Sequence, residues 1–259
     1  MSSLITTDLV KELRDATGIS IMQCKRALEE AEGDMKKALA ILKKTSSEIA
    51  LKKTDRVVKD GAVTTKSNNN KIIMVSLLCE TDFVAKNEDF TTLLSKLADM
   101  ALSDGIKKMK ENAKDMIDSV IQKTGENIQL GEIYEVSGNV LGNYIHNNKI
   151  AIIVSLEGGN AELARDVAMH IAAMKPEFIS SSEISNENRN LMIEIFQKEI
   201  ASIEKPEEIK KKMLEGKIST YFKEKTLSDQ AFIKDSSVTV GKLLENAKAT
   251  IKEVKRYSI

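Results

Sequence analysis

Apolar residues recur three and four apart through roughly the first 45 positions, in three short runs broken by glycine or turn residues. Leu9, Val10, Leu13 and Ala16 form the first run; Thr6 or Thr7 can cap it and Gly18 can close it in a left-handed turn. The second opens at Ser20-Ile21-Met22-Gln23, which has capping-box spacing, carries Leu28 and Ala31, and ends at Gly33. Asp34 can cap the third, which is expected to bury Ala38, Leu39 and Leu42. Helices this short are marginal alone, so their stripes must pack into one small bundle. The charged stretch from Lys43 to Lys59 then reads as a polar helix extension or a linker.

From Gly61 the spacing becomes that of strands. Ala62 to Lys66 and Lys71 to Cys79 flank the turn cluster Ser67-Asn68-Asn69-Asn70, which predicts a hairpin. Ile72 to Leu78 is apolar on both faces and reads as a central strand. A helix follows from about Glu88, with Phe90, Leu93, Leu94, Leu97 and Ala101 in step, and another carries Met116, Ile117, Val120 and Ile121 towards Gly125. The pattern then repeats. Asn147-Asn148-Lys149 leads into Ala151 to Leu156, echoing Ile72 to Leu77 after Asn69-Asn70-Lys71, and a helix with Leu163, Val167, Ala168 and Ile171 comes next. Two similar strand-then-helix units predict a duplicated α+β body. Between about residues 183 and 225 strand character disappears. Ile193, Phe196, Ile200 and Ile203, then Pro206, then Leu214, Ile218 and Tyr221 predict two helices forming an antiparallel coiled-coil hairpin. Thr239 can cap a last short helix through Leu243 and Leu244, and Ile251 to Ile259 reads as a strand.

Composition narrows the function classes. Lysine plus arginine and aspartate plus glutamate both number 39, so no net positive field draws the chain to nucleic acid. No apolar run approaches the ~18 residues of a membrane span, and Met1 to Thr7 lacks the features of a targeting segment. A cytoplasmic protein is expected. Cys24 and Cys79 are too few and too distant for a disulfide framework or zinc site, and are expected to be reduced and buried. There is no glycine-rich phosphate loop, nucleophile elbow or His-Glu zinc motif. His146 and His170 have no triad-like context, and His170 reads as structural. The expectation is a non-enzymatic protein without cofactor or metal, working on a protein or small-molecule partner.

The segment Thr81-Asp82-Phe83-Val84-Ala85-Lys86-Asn87 resembles the signature of the elongation factor Ts family. So do Val10 to Arg14, Thr17-Gly18, Cys24-Lys25, Ala27-Leu28, Gly125-Glu126-Asn127, Gly142 to His146, Met169 to Ala173 and Lys175 to Phe178. The matches run in order along almost the whole chain. The resemblance implies a first bundle like a ubiquitin-associated domain and two related body subdomains with an inserted coiled coil. It implies a guanine-nucleotide exchange factor that binds elongation factor Tu·GDP, dislodges Mg²⁺ and promotes GDP release, with no direct contact to nucleic acid or membrane. A homodimer or a Tu₂Ts₂ assembly is compatible with it.

By the same resemblance, Thr81, Asp82, Phe83 and Val84 form the element that dislodges Mg²⁺. Ile21, Met22, Lys25, Gly125, His146, Phe232, Ile233 and Lys234 match further partner contacts. Ala231 stands where the family usually has proline, and Thr124 where it usually has isoleucine. On residues alone, Phe83 can instead be a core aromatic under the next helix, and Asp82 a helix N-cap. Two other functions compete: an adaptor binding a helix or ubiquitin-like partner, and an enzyme using His146 or His170. The expected division is 1–55 for the bundle, 56–140 for the first subdomain, and 141–259 for the second, with the hairpin at about 183–225.

Overall fold

The computed structural model describes residues 5–259; residues 1–4, part of the segment read above for targeting features, lie outside the described residues. Three helices come first, α1 (Thr7–Thr17), α2 (Ile21–Glu30) and α3 (Met35–Leu51). Thr6 caps α1 through the Leu9 amide, and Gly18 ends it at φ 68°, a left-handed turn that glycine adopts without a Cβ clash. Ser20 and Asp34 cap α2 and α3 through the amides of Gln23 and of Lys36 and Lys37. Leu13, Cys24, Leu28, Ala38 and Leu42 interlock as the core of this bundle. Leu39 departs from expectation and is 41 % exposed. The inward stripe of α3 is Ala38, Leu42, Ser46 and Ala50, and Leu39 lies about 100° around the helix from Ala38.

The body follows as β1 (Asp60–Ser67), β2 (Lys71–Cys79), α4 (Asp82–Ala85), α5 (Glu88–Asp104), α6 (Ile106–Thr124), β3 (Ile128–Ser137), β4 (Val140–His146), β5 (Ile150–Glu157) and α7 (Ala161–Met174). After the hairpin helices α8 (Asn186–Ala201) and α9 (Glu207–Lys225), the chain closes with β6 (Ala231–Phe232), β7 (Asp235–Thr239), α10 (Val240–Asn246) and β8 (Thr250–Ser258). Two antiparallel three-stranded sheets result, in the orders β1-β2-β3 and β4-β5-β8. One face of each meets the other through Val63, Ile72, Met74, Val136, Ala151 and Ile153. The opposite face of β2, with Ile73, Val75 and Leu77, packs on α5 and α6, and that of β5, with Ile152 and Val154, packs on α7. The layering is helix, sheet, sheet, helix: a duplicated α+β body.

β3 and β4 were not evident as strands in the residue pattern. Both lie at sheet edges, where half-exposed positions admit Gln129, Glu132, Glu135 and Asn143 and blur the alternation. Gly142 lets β4 run against α7, since a Cβ there would stand 2.2 Å from the Arg165 amide nitrogen.

The charged stretch after Lys43 contains both expected forms, helix to Leu51 and then a linker to Asp60. The second half of α3 docks on α6. Ser47 donates to Asp118 at 2.9 Å, Lys43 pairs with Asp115 at 2.7 Å, and Ser46 donates to Gln122. In the hairpin, Phe196 and Tyr221 meet edge to face at 5.6 Å, and Pro206 occupies the cap position of α9. Its base is tied to the body where Lys225 O accepts from the amides of Glu177 and Phe178.

Candidate functional site

β2 ends at Cys79 and α4 begins at Asp82, so only Glu80 and Thr81 connect the central strand to a single helical turn. Thr81 caps that turn, its hydroxyl accepting from the Val84 amide at 3.4 Å. The cap is therefore Thr81, not Asp82. Asp82 instead pairs with Lys86 at 2.7 Å, one turn along, and that bond holds the Lys86 ammonium above its ordinary pKa. Val84 and Ala85 are buried and join the core of α5, α6 and the first sheet. Those two anchors rotate the preceding positions outward. Phe83 is 83 % exposed, the highest value among the exposed large apolar side chains of the described residues. The core-aromatic alternative for Phe83 is thereby removed. Directly beneath, the Cys79 thiol donates to Thr81 O at 3.1 Å, and burial pushes its pKa up to about 12. Both cysteines are free and buried.

Gly125 is the left-handed C-cap of α6 at φ 77°, and its carbonyl accepts from the Lys53 ammonium. Its neighbour Glu126 bonds to Thr81, which sets Gly125 close to the α4 turn. The other candidate residues sit on separate elements. Ile21 and Met22 are exposed on the first turn of α2, and Lys25 forms a 3.8 Å ion pair with Glu29. His146 ends β4, exposed, with Tyr144 Oη 3.2 Å from Nδ1 and Asn147 Nδ2 3.4 Å from Nε2.

The segment from Phe232 to Lys234 requires a correction. Phe232 is only 6 % exposed, packed in the second core and 5.9 Å from the His170 ring, so its side chain is not displayed. Ile233 and Lys234 are exposed, and Lys234 pairs with Asp166 at 2.5 Å. Beneath this loop, His170 Nδ1 accepts from the Ile233 amide at 3.2 Å, which leaves the proton on Nε2 to donate to Gln230 Oε1 at 2.9 Å. Gln230 in turn donates to Glu224 O at 2.6 Å. Burial lowers the His170 pKa, and the bond to Gln230 opposes that shift. Residue spacing shows His170 only as a histidine among apolar neighbours; its hold on the loop depends on Gln230 and Ile233, 60 and 63 positions away.

Among the described residues no group of three or more His, Cys, Asp or Glu is placed to hold a metal, and no helix is long and apolar enough to cross a membrane. An open cleft of about 540 Å³ lies between the bundle and α5 and α6, lined in part by Leu39, Lys43, Asp89, Asp115 and Lys123. Two of its charge pairs are already closed, Lys43 with Asp115 and Lys123 with Asp89.

These features define a duplicated α+β protein with a helical N-terminal bundle, an inserted hairpin and one isolated aromatic side chain displayed on a capped turn. The sequence model of the family described as "Elongation factor TS" matches residues 80–259. The chain is 40% identical to an elongation factor Ts from Hahella chejuensis over 262 residues, covering 98% of this chain and 92% of the relative. It is 39% identical over 269 residues to the one from Thioalkalivibrio sulfidiphilus, covering 98% and 92%, and 36% over 269 residues to the one from Tolumonas auensis, covering 98% and 91%. The chain belongs to the elongation factor Ts family, a family of translation elongation factors.

Proposed function

We propose that this chain is a guanine-nucleotide exchange factor for elongation factor Tu, acting by contact rather than by making or breaking covalent bonds. The observation that carries the reading is Phe83, exposed on a one-turn helix that Val84 and Ala85 pin to the core. An aromatic ring left in water on a pinned turn is an unsatisfied contact. Inserting it into a partner pocket contributes about 1.5–3 kcal/mol of burial, available to displace the groups that hold Mg²⁺ and phosphate. Thr81 and Val84 fix the turn, while Asp82 and Phe83 face outward. Ile21, Met22 and Lys25 on α2, Gly125, His146, and Ile233 with Lys234 provide the remaining anchors in this reading. Phe232 contributes by shaping the loop from below.

The testing experiment is release of labelled GDP from purified elongation factor Tu in the presence of Mg²⁺. Substoichiometric amounts of the chain should accelerate release. No acceleration at concentrations where the complex forms would remove the reading.

A further inference from the structure

The α4 turn is gripped from outside its own segment by one carboxylate. Glu126 Oε2 accepts from the amides of Glu80 at 3.2 Å and Thr81 at 3.0 Å, and Oε1 accepts from the Thr81 hydroxyl at 2.6 Å. Glu80 and Thr81 are the whole connection between β2 and α4, so this side chain holds both backbone donors of the hinge. The grip is reciprocal. Glu80 Oε1 accepts from the Asn127 amide at 2.6 Å and pairs with Arg56 at 3.5 Å. Buried Asn127 donates through Nδ2 to the carbonyls of Thr54 and Arg56, in the linker between α3 and β1. Gly125 takes the Lys53 ammonium at the start of the same linker. Three consecutive residues thus tie the Phe83 turn and the linker from the N-terminal bundle to one point.

We propose that Glu126 is a positioning residue for nucleotide exchange: it sets the direction in which Phe83 is displayed, without itself reaching the partner. The inference rests on the exchange reading above. Bonds to an ionised acceptor are short and strong, and a displayed group ordered before binding spares the complex the entropy of ordering it. Without the carboxylate, α4 keeps its Val84 and Ala85 anchors and its Thr81 cap, but the Glu80 and Thr81 amides and the Thr81 hydroxyl lose their acceptor. Phe83 then samples many directions, and most encounters place its ring wrongly. Binding through α2 and the other surfaces continues.

The test compares wild type, Glu126→Ala, Glu126→Gln and Phe83→Ala in GDP release from elongation factor Tu across a concentration series. Hydrogen exchange at the Glu80 and Thr81 amides is measured in parallel. For Glu126→Ala the maximal release rate should fall at least about tenfold while the half-saturating concentration moves less than about threefold, the signature of lost action rather than lost binding. Both amides should lose protection. Glu126→Gln keeps an oxygen for the two amides but turns a donor towards the Thr81 hydroxyl, so its rate should fall between. A wild-type maximal rate in Glu126→Ala beside an impaired Phe83→Ala, or amides that stay protected, overturns the proposal and leaves the exchange reading intact. Should Glu126→Ala fail to fold, a folded Glu126→Gln with undiminished rate overturns it equally. If wild type itself does not accelerate release, the exchange reading fails and the proposal falls with it.

Discussion

Replacing Phe83 with alanine separates a role in folding from a role at the partner. The ring is 83 % exposed, so truncation removes little that the folded chain buries. Val84, Ala85 and the Thr81 cap remain to hold α4, and alanine is the better helix former. The stability change should stay within the roughly ±0.5 kcal/mol usual for surface positions, which for a chain of this size moves Tm by no more than about 2 °C. A buried phenylalanine would instead cost about 3–5 kcal/mol. At the partner, loss of about 1.5–3 kcal/mol of ring burial corresponds to roughly a ten- to hundredfold slower step, at about 1.4 kcal/mol per tenfold. The assay is stopped-flow release of fluorescent GDP from elongation factor Tu at saturating Phe83→Ala, with thermal melts of the same preparations. An unchanged melt with release slowed at least about tenfold is expected. A melt lowered by many degrees, or a variant as fast as wild type, would refute the reasoning.

Phe232→Ala should behave in the opposite way, lowering stability by about 3–5 kcal/mol in denaturant melts, because that ring is buried against His170. Exposed Ile233→Ala should leave the melts nearly unchanged. Burial holds the His170 pKa below its ordinary 6.5, so the unfolded chain takes up a proton before the folded one does. Its contribution to stability is therefore full above pH 6.5 and declines as pH falls below that, by at most about 1.4 kcal/mol per pH unit. Denaturant midpoints of wild type and His170→Asn between pH 5 and 8 should diverge on that side only; parallel curves would contradict it. Cys79, with its pKa raised to about 12 by burial, should resist aromatic disulfide reagents at pH 8 in the native state and react on unfolding. If the chain weakens GDP binding to elongation factor Tu, GDP must weaken binding of the chain by the same factor. Equal affinity of the chain for the GDP-bound and nucleotide-free partner in calorimetry would show the sites to be uncoupled.

What residue order settled by itself lies where local chemistry and burial agree. Thr6, Ser20, Asp34 and Thr239 cap helices because a short polar side chain can reach a free amide two or three positions on. Gly18 and Gly125 end helices because the left-handed turn carries no penalty there. β2 and β5 are apolar on both faces because each lies between a helix layer and the other sheet, so the central strands and their repetition were legible. The strands β3 and β4 were not, since Gln129, Glu132, Glu135 and Asn143 interrupt their apolar alternation. Which residue faces the solvent depended on the packing of distant segments. Phe83 and Phe232 are both aromatic residues of segments that match the family. Yet Val84 and Ala85 turn the first outward, while the second core takes the other in beside His170. Leu39 was expected inside and lies outside because four-residue steps from Ala38 through Ala50 claim the inward face of α3. The hold of Glu126 on Thr81 spans 45 positions, and no local spacing encodes it. Only the pairing of β3 with β2, which sets Ile128 against Cys79, brings that carboxylate to the two amides it accepts from, because hydrogen bonds act over about 3 Å and are indifferent to separation along the chain.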